Sequence, residues 1–413
     1  MGIENIRSDG NMQLRPRWWF WSAILLGLLI RIYFIVFTLG TYDVNLWQND
    51  ALGVQKEGLI NYYHSNPNMT RPPFVAYAVS GLRTIKEKTG IPFKILLRTI
   101  TSLMDVGTTI LLFCIFRDNR YRYLISAGYW IHPLALIFSA YHGNVDSSVA
   151  FFLMLCLYFF SHKKTILAGV AIGISLWIKI PAILAVPIFV FAMQSWNKRL
   201  LFLSAAGFAG IIGYLPAILQ DPLIVYKNVI AYQGLCIITP EGISIWGINI
   251  FLKPLIENLS PQYSGFSNFL QFIINNSWKL ALLLIVLYSW MRRRSNNTTE
   301  IGATIAVCYF IFYGFTNNWA FQYLAWSLPF WFFLRPFVFW GSSFLASGYI
   351  YSMYSFLCGN FWLLGSWNLM GHTRFSPIVM FFRNFSFLFF IIAACIFICS
   401  AIYRQIDSKY QLK

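Results

Sequence analysis

Charge is what this sequence is shortest of: only 11% of its 413 residues are Asp, Glu, Lys or Arg, while 58% are hydrophobic. Ordinary globular domains carry roughly a quarter charged residues, so a soluble fold could not cover this much apolar surface, and soluble classes are excluded. Acidic residues are scarcer still, 14 against 31 Lys and Arg. There is no Gly-rich phosphate loop of the G-x-x-x-x-G-K type, no HExxH and no GxSxG nucleophile elbow. The five histidines show no metal-ligand spacing. A nucleotide-driven pump and a zinc-dependent membrane protease are thereby disfavoured. The seven cysteines form no CxxC pair, which indicates neither a zinc site nor a disulfide framework. Most of them (Cys114, Cys156, Cys308, Cys395, Cys399) sit inside apolar runs, where packing is their ordinary use.

What the chain has is apolar length. A spanning helix needs around 20 largely apolar residues. Candidate spans are 18–38, 97–116, 123–141, 147–161, 165–178, 180–195, 200–219, 277–291, 301–316, 319–334, 338–357 and 378–403. The expectation is an all-α polytopic membrane protein, one domain over 1–413, with about 11–12 transmembrane helices. The stretch 165–195 must hold two short helices or one bent around Lys179-Ile180-Pro181. The first apolar run is long enough to remain as an anchor instead of a cleaved signal.

The net charge of +17 would suggest nucleic acid in a soluble protein. Here it reads first as topology, with anionic lipids or substrates as the other reading, and no nucleic-acid partner is expected. With residues 1–17 and 404–413 cytoplasmic, the clusters Arg15/Arg17, Arg117/Arg120/Arg122, Lys163/Lys164, Lys198/Arg199, Arg292/Arg293/Arg294, Arg335 and Arg404 all fall on one side. That is the positive-inside pattern, and a bacterial plasma membrane is the expected location. The outer face then receives two long loops, 39–96 and 220–276. The first carries Arg71, Arg83, Lys86, Lys88 and Lys94 against the charge rule. An anionic ligand is one reason; an interfacial helix over 76–95 with snorkelling lysines is the other.

Polar elements converge on that face. Asp43 and Asp50 follow the first span, seven residues apart, and would share a helix face. A partly desolvated carboxylate there can act as a general base; an N-cap or interfacial solvation is the plainer reading. Arg71-Pro72-Pro73 is a rigid extended element that could hold its arginine towards a groove. In Tyr141-His142-Gly143-Asn144-Val145-Asp146, Asp146 reads equally as helix N-cap or ligand group. Lys179 interrupts an apolar stretch, and such residues tend to be functional unless they snorkel. Asp105, inside the second span, has Arg31 and Arg98 as possible partners. Tyr232-Gln233-Gly234 and the segment from Asn317 to Pro329, with Gln322, Tyr323 and Trp326, add amides and aromatic faces suited to sugars, though an aromatic belt accounts for the rings too.

Taken in order, these pieces resemble the polytopic GT-C glycosyltransferases that use polyprenyl-phosphate sugars. The similarity is closest to bacterial polyprenol-phosphate-mannose-dependent mannosyltransferases and more distant to GPI mannosyltransferase I. It rests on Tyr42-Asp43-Val44-Asn45-Leu46-Trp47, Gly58-Leu59-Ile60-Asn61-Tyr62-Tyr63, Arg71-Pro72-Pro73, His132-Pro133, Gly143-Asn144-Val145-Asp146, Lys179-Ile180-Pro181, and Gln322-Tyr323 with Trp326 and Pro329. The resemblance implies a GT-C-type bundle and inverting transfer of a hexose, mannose foremost, from a polyprenyl-phosphate donor to a glycan, glycolipid or other lipid-linked acceptor. It implies Asp43 as base, and Lys179 and Arg71 on the donor phosphate. Asp50, His142, Asn144, Asp146, Gln233, Gln322 and Trp326 would line the sugar and acceptor site. No cofactor or divalent metal is expected, since a monophosphate leaving group with cationic partners needs one less than a nucleotide diphosphate does. The rivals are a flippase or transporter of lipid-linked glycan, in which internal repeats would be expected and none is evident, and a non-catalytic subunit of a glycosyltransferase complex. A third rival, an acyltransferase, is disfavoured because the sequence shows no well-placed intramembrane His-Asp pair.

Overall fold

The computed structural model describes residues 18–232, 245–295, 297–317, 319–367 and 375–410, and no strand occurs among the described residues. Helix α1 (Trp18–Phe37) leads into the three helices of the first long loop, α2 (Asp43–Glu57), α3 (Leu59–Ser65) and α4 (Pro73–Thr89), and then into α5 (Phe93–Ile115). There follow α6 (Arg122–Trp130), α7 (Pro133–Leu136) with a π-helical turn Ile137–His142, α8 (Asp146–Ser161), α9 (Thr165–Ile178), a 3-10 turn Ile180–Ala185 with α10 (Val186–Ala192), and α11 (Trp196–Ile212). After the short α12 (Leu215–Ile218), the second long loop carries α13 (Pro222–Val225) and α14 (Asn249–Glu257). The chain closes with α15 (Ser264–Met291), α16 (Thr298–Phe315), α17 (Leu324–Trp331), α18 (Pro336–Cys358) and α19 (Pro377–Tyr410).

This is an all-α polytopic membrane protein. By length and apolarity five helices can each cross a bilayer: α1, α5, α15, α16 and α19. The segment 122–142 is apolar enough for a sixth span if its two helices, bent by 42°, cross as one; Pro133 cannot continue the ladder and holds His132 extended. The runs expected over 147–161, 165–178 and 338–357 each lie within one helix, α8, α9 and α18, while that over 319–334 divides into a 3-10 turn Phe321–Tyr323 and α17. The run expected over 180–195 is a 3-10 turn plus seven residues of α10, and that over 200–219 stops at Ile212 before the short α12. The break after α9 resolves the ambiguous stretch: two short helices, separated at Lys179.

Buried polar contacts tie the first spans together. Arg31 of α1 pairs with Asp105 of α5 at 3.0 Å, both side chains almost fully enclosed. Arg31 also donates to the Trp130 carbonyl at 2.7 Å, and Tyr129 donates to the other Asp105 oxygen at 2.9 Å. Arg98 has a different duty: it donates to the carbonyls of Phe34, Thr38 and Leu39, and Lys94 adds a 3.0 Å bond to Thr38. These two cations thus satisfy the orphan carbonyls at the end of α1.

Helices α9 and α11 approach through small residues. A Cβ on Gly169 would lie 2.5 Å from the Phe202 carbonyl, and one on Gly173 would lie 2.6 Å from that of Ala206. Such faces let membrane helices pack backbone to backbone. The expected amphipathic helix of the first loop is α4, which buries Val75, Val79 and Leu82 in the same core as Val44, Trp47 and Ala51 of α2.

Candidate active site

The site begins where α1 ends. Gly40, at φ +80, turns the chain so closely over Arg98 that a Cβ would collide with the guanidinium. That turn delivers Asp43 to the first turn of α2, where a carboxylate is favoured by the helix dipole. Its Oδ2 accepts two hydrogen bonds, from His142 Nε2 at 2.9 Å and from Asn144 Nδ2 at 3.0 Å. Oδ1 has no hydrogen bond among the described residues, and the side chain is 28% exposed.

The partners come from the π-helical turn. The extra residue in that turn and the left-handed Gly143 (φ +70) swing His142 and Asn144 to the same carboxylate. Asn144 Oδ1 accepts the Val145 N–H at 2.7 Å, which orients its amide to donate to Asp43. His142 is buried, and its Nδ1 bonds the Tyr354 hydroxyl of α18.

A second cluster adjoins it. Asp146 opens α8 but caps nothing; its fully buried carboxylate receives Lys179 Nζ at 2.9 Å on both oxygens and Trp326 Nε1 at 2.5 Å. Lys179 is extended (φ −158, ψ 138) because Pro181 follows and α9 stops short. Its side chain is 24% exposed, and its ammonium lies 5.4 Å from the ring centre of Tyr323 and 5.8 Å from that of Trp326. Those two rings stack at 4.1 Å.

The third cluster lies in the first loop. Arg71 pairs with Asp50, lies over the Trp47 ring at 4.2 Å, and keeps a buried Nε without a partner among the described residues. Tyr62 donates to Asp50 at 3.1 Å, and Tyr63 to the Arg71 carbonyl at 2.6 Å. Pro72 then holds the chain extended into α4.

Electrostatics connect the clusters. Burial pushes the Asp43 carboxyl up, but the hydrogen bond and charge of His142 and the charges of Arg71 and Lys179 outweigh it and hold the group at about 2. Asp50 goes the other way: burial raises it by more than Arg71 and Tyr62 lower it. Burial likewise raises Tyr232, against the pull of Arg71, so the start of the Tyr232-Gln233-Gly234 segment lies near this group.

Of the residues singled out in the sequence, Asp43, His142 and Asn144 meet directly, as do Asp146, Lys179 and Trp326, and as do Asp50 and Arg71. Gln322 is buried in the 3-10 turn before α17, with no side-chain hydrogen bond among the described residues. Gln233 lies outside the described residues. Tyr354 was not singled out; its one signal was a hydroxyl inside an apolar run, which demands a buried partner.

Residues 71–316 match the sequence model of glycosyltransferase family 87, more than half of the 413-residue chain. The matched region contains Arg71, His142, Asn144, Asp146 and Lys179, while Asp43 and Trp326 lie outside it. No curated protein matches the chain.

Proposed function

Since the chain belongs to glycosyltransferase family 87, we propose that this membrane glycosyltransferase moves a hexose, mannose foremost, from a polyprenyl phosphate to an acceptor hydroxyl. The acceptor is a glycan or glycolipid presented at the outer face of a bacterial plasma membrane, and the architecture is of the GT-C type. The observation that carries the reading is Asp43: a carboxylate kept ionised, partly exposed, with one oxygen fixed and the other open, under the influence of two cations.

In this reading the acceptor hydroxyl attacks the anomeric carbon while its proton passes to Asp43. The bond from the anomeric carbon to the phosphate oxygen breaks, and its electron pair leaves on the lipid phosphate. A single displacement inverts the anomeric centre. Lys179 and Arg71 stabilise the departing phosphate, where preorganised charge contributes most. Each is held by a buried carboxylate, Asp146 and Asp50, and each side chain stays partly exposed. Trp326 and Tyr323 offer stacked rings to the sugar, and Gln322 and Gln233 offer amides. Cationic stabilisation of a monophosphate makes the reaction metal-independent.

The test is turnover of short-chain polyprenyl-phosphate mannose by purified protein, followed as release of polyprenyl phosphate. Activity of wild type that disappears in Asp43→Asn supports the reading. Inert wild-type protein with several polyprenyl-phosphate sugars would move it towards a transporter or an accessory subunit.

A further inference from the structure

His142 has no atom left for a sugar. It is 1% exposed, and both ring nitrogens are used, Nε2 by Asp43 and Nδ1 by Tyr354. Trp367 and Tyr354 wall the ring, with centroids 6.1 and 5.6 Å away, and Thr41 donates to the His142 carbonyl at 3.2 Å. The ring is therefore clamped by α18, by the turn before α2 and by its own π-helical turn.

The proton facing Asp43 can be assigned. The Tyr354 hydroxyl bonds Nδ1 and has no other hydrogen-bond partner among the described residues. A carboxylate only accepts, so Nε2 carries a proton and points it at Asp43. Asn144, its amide fixed by the Val145 N–H, donates to the same oxygen. Oδ2 is thus saturated with two donors, and Oδ1 alone keeps its lone pairs free.

We infer that His142 is a positioning residue that, with Asn144, locks Oδ2 of Asp43 and leaves Oδ1 as the only oxygen able to take the acceptor proton, with Tyr354 holding the ring through Nδ1. The inference rests on Asp43 being the base. During transfer one proton moves, from the acceptor hydroxyl to Oδ1, as the new carbon–oxygen bond forms and the bond to the donor phosphate breaks. The His142 and Tyr354 protons stay where they are. The charged and titratable groups facing Asp43 are His142, Arg71, Lys179 and Tyr354. Among them only His142 bonds the carboxylate directly, so its loss both frees the side chain to rotate and makes the carboxylate easier to protonate.

The experiment compares wild type, Asp43→Asn, His142→Leu, His142→Gln and Tyr354→Phe as full-length protein in detergent. Release of polyprenyl phosphate from short-chain polyprenyl-phosphate mannose is recorded against pH. A misplaced base costs on the order of 10- to 100-fold in kcat. His142→Leu should lose that much with KM little changed and with its acid limb moved to higher pH. His142→Gln, whose amide N–H reaches the position of Nε2, should recover most of the rate. Tyr354→Phe should fall between. Wild-type rate and an unmoved acid limb in His142→Leu overturn the inference, and so does equal damage in folded Gln and Leu variants. Activity surviving in Asp43→Asn sinks instead the reading of Asp43 as base. An infrared pH titration of the carboxyl band missing in Asp43→Asn reports the same His142-dependent shift without substrate. It decides the positioning role even if mannose is not the sugar.

Discussion

Lys179 and Asp146 meet across the gap between α9 and α8, with the ammonium 2.9 Å from both carboxylate oxygens. Asp146 is wholly buried, and Lys179 is the only cation bonded to it among the described residues. Removing one partner of such a pair strands a charge and costs about 3–5 kcal/mol, whereas replacing both with apolar groups is often neutral. Lys179→Met should therefore lower the apparent Tm in detergent by several degrees. Adding Asp146→Leu should restore much of it without restoring sugar transfer. An unchanged Tm in Lys179→Met would contradict the pairing.

The acid side of the pH profile follows from Asp43. Its folded value of about 2 lies below the usual carboxylate value of 3.8. A depressed carboxyl contributes stability that is fully present above the unfolded value and is lost as pH falls through the folded one, here between about 4 and 2. As the proposed base, Asp43 likewise stays ionised, so kcat/KM should be level on its acid side down to about pH 4. Arg71→Gln removes one of the charges holding the carboxyl down, and its acid limb should lie higher. A wild-type limb near pH 6 would be inconsistent with this environment.

Gly143 is a sharp steric test of the π-helical turn. At φ +70, a Cβ would stand 3.0 Å from Arg98 Cγ and 3.2 Å from Val44 Cγ2. The left-handed backbone alone costs a non-glycine residue about 1–2 kcal/mol. Gly143→Ala should lower Tm modestly and cut kcat far more, because His142 and Asn144 flank it. Equal activity of the two proteins would show that the turn does not set the site.

Most of this architecture could be read from the apolar runs, since most of them fall on helix. What could not be read were the pairings. Lys179 announced itself as a cation in an apolar stretch, but its partner lies 33 residues away, on a different helix. Asp146 read equally well as a cap, because a cap and a buried ion pair both place an acid at a helix start. Lys94 read as an anion contact or a snorkelling lysine and Arg98 as a possible partner of Asp105; both are spent on the carbonyls of α1, an accounting visible only once α1 and α5 are adjacent. For the bond between His142 and Tyr354, 212 residues apart, the one local signal was the Tyr354 hydroxyl inside an apolar run, which does not name its partner.

On the proposed mechanism Lys179 and Arg71 would take the charge of the leaving phosphate, and no metal would be needed. Purified protein treated with excess chelator should then keep its rate. Loss of turnover that Mg²⁺ or Mn²⁺ restores would require a metal at the phosphate.

The most direct measurement is polyprenyl phosphate released from short-chain polyprenyl-phosphate sugars by wild type and by Asp43→Asn, both verified as folded. General-base catalysis contributes about 10²–10⁴-fold. The account predicts steady release by wild type and a fall of at least that order in the variant. Equal release from both proteins would contradict it.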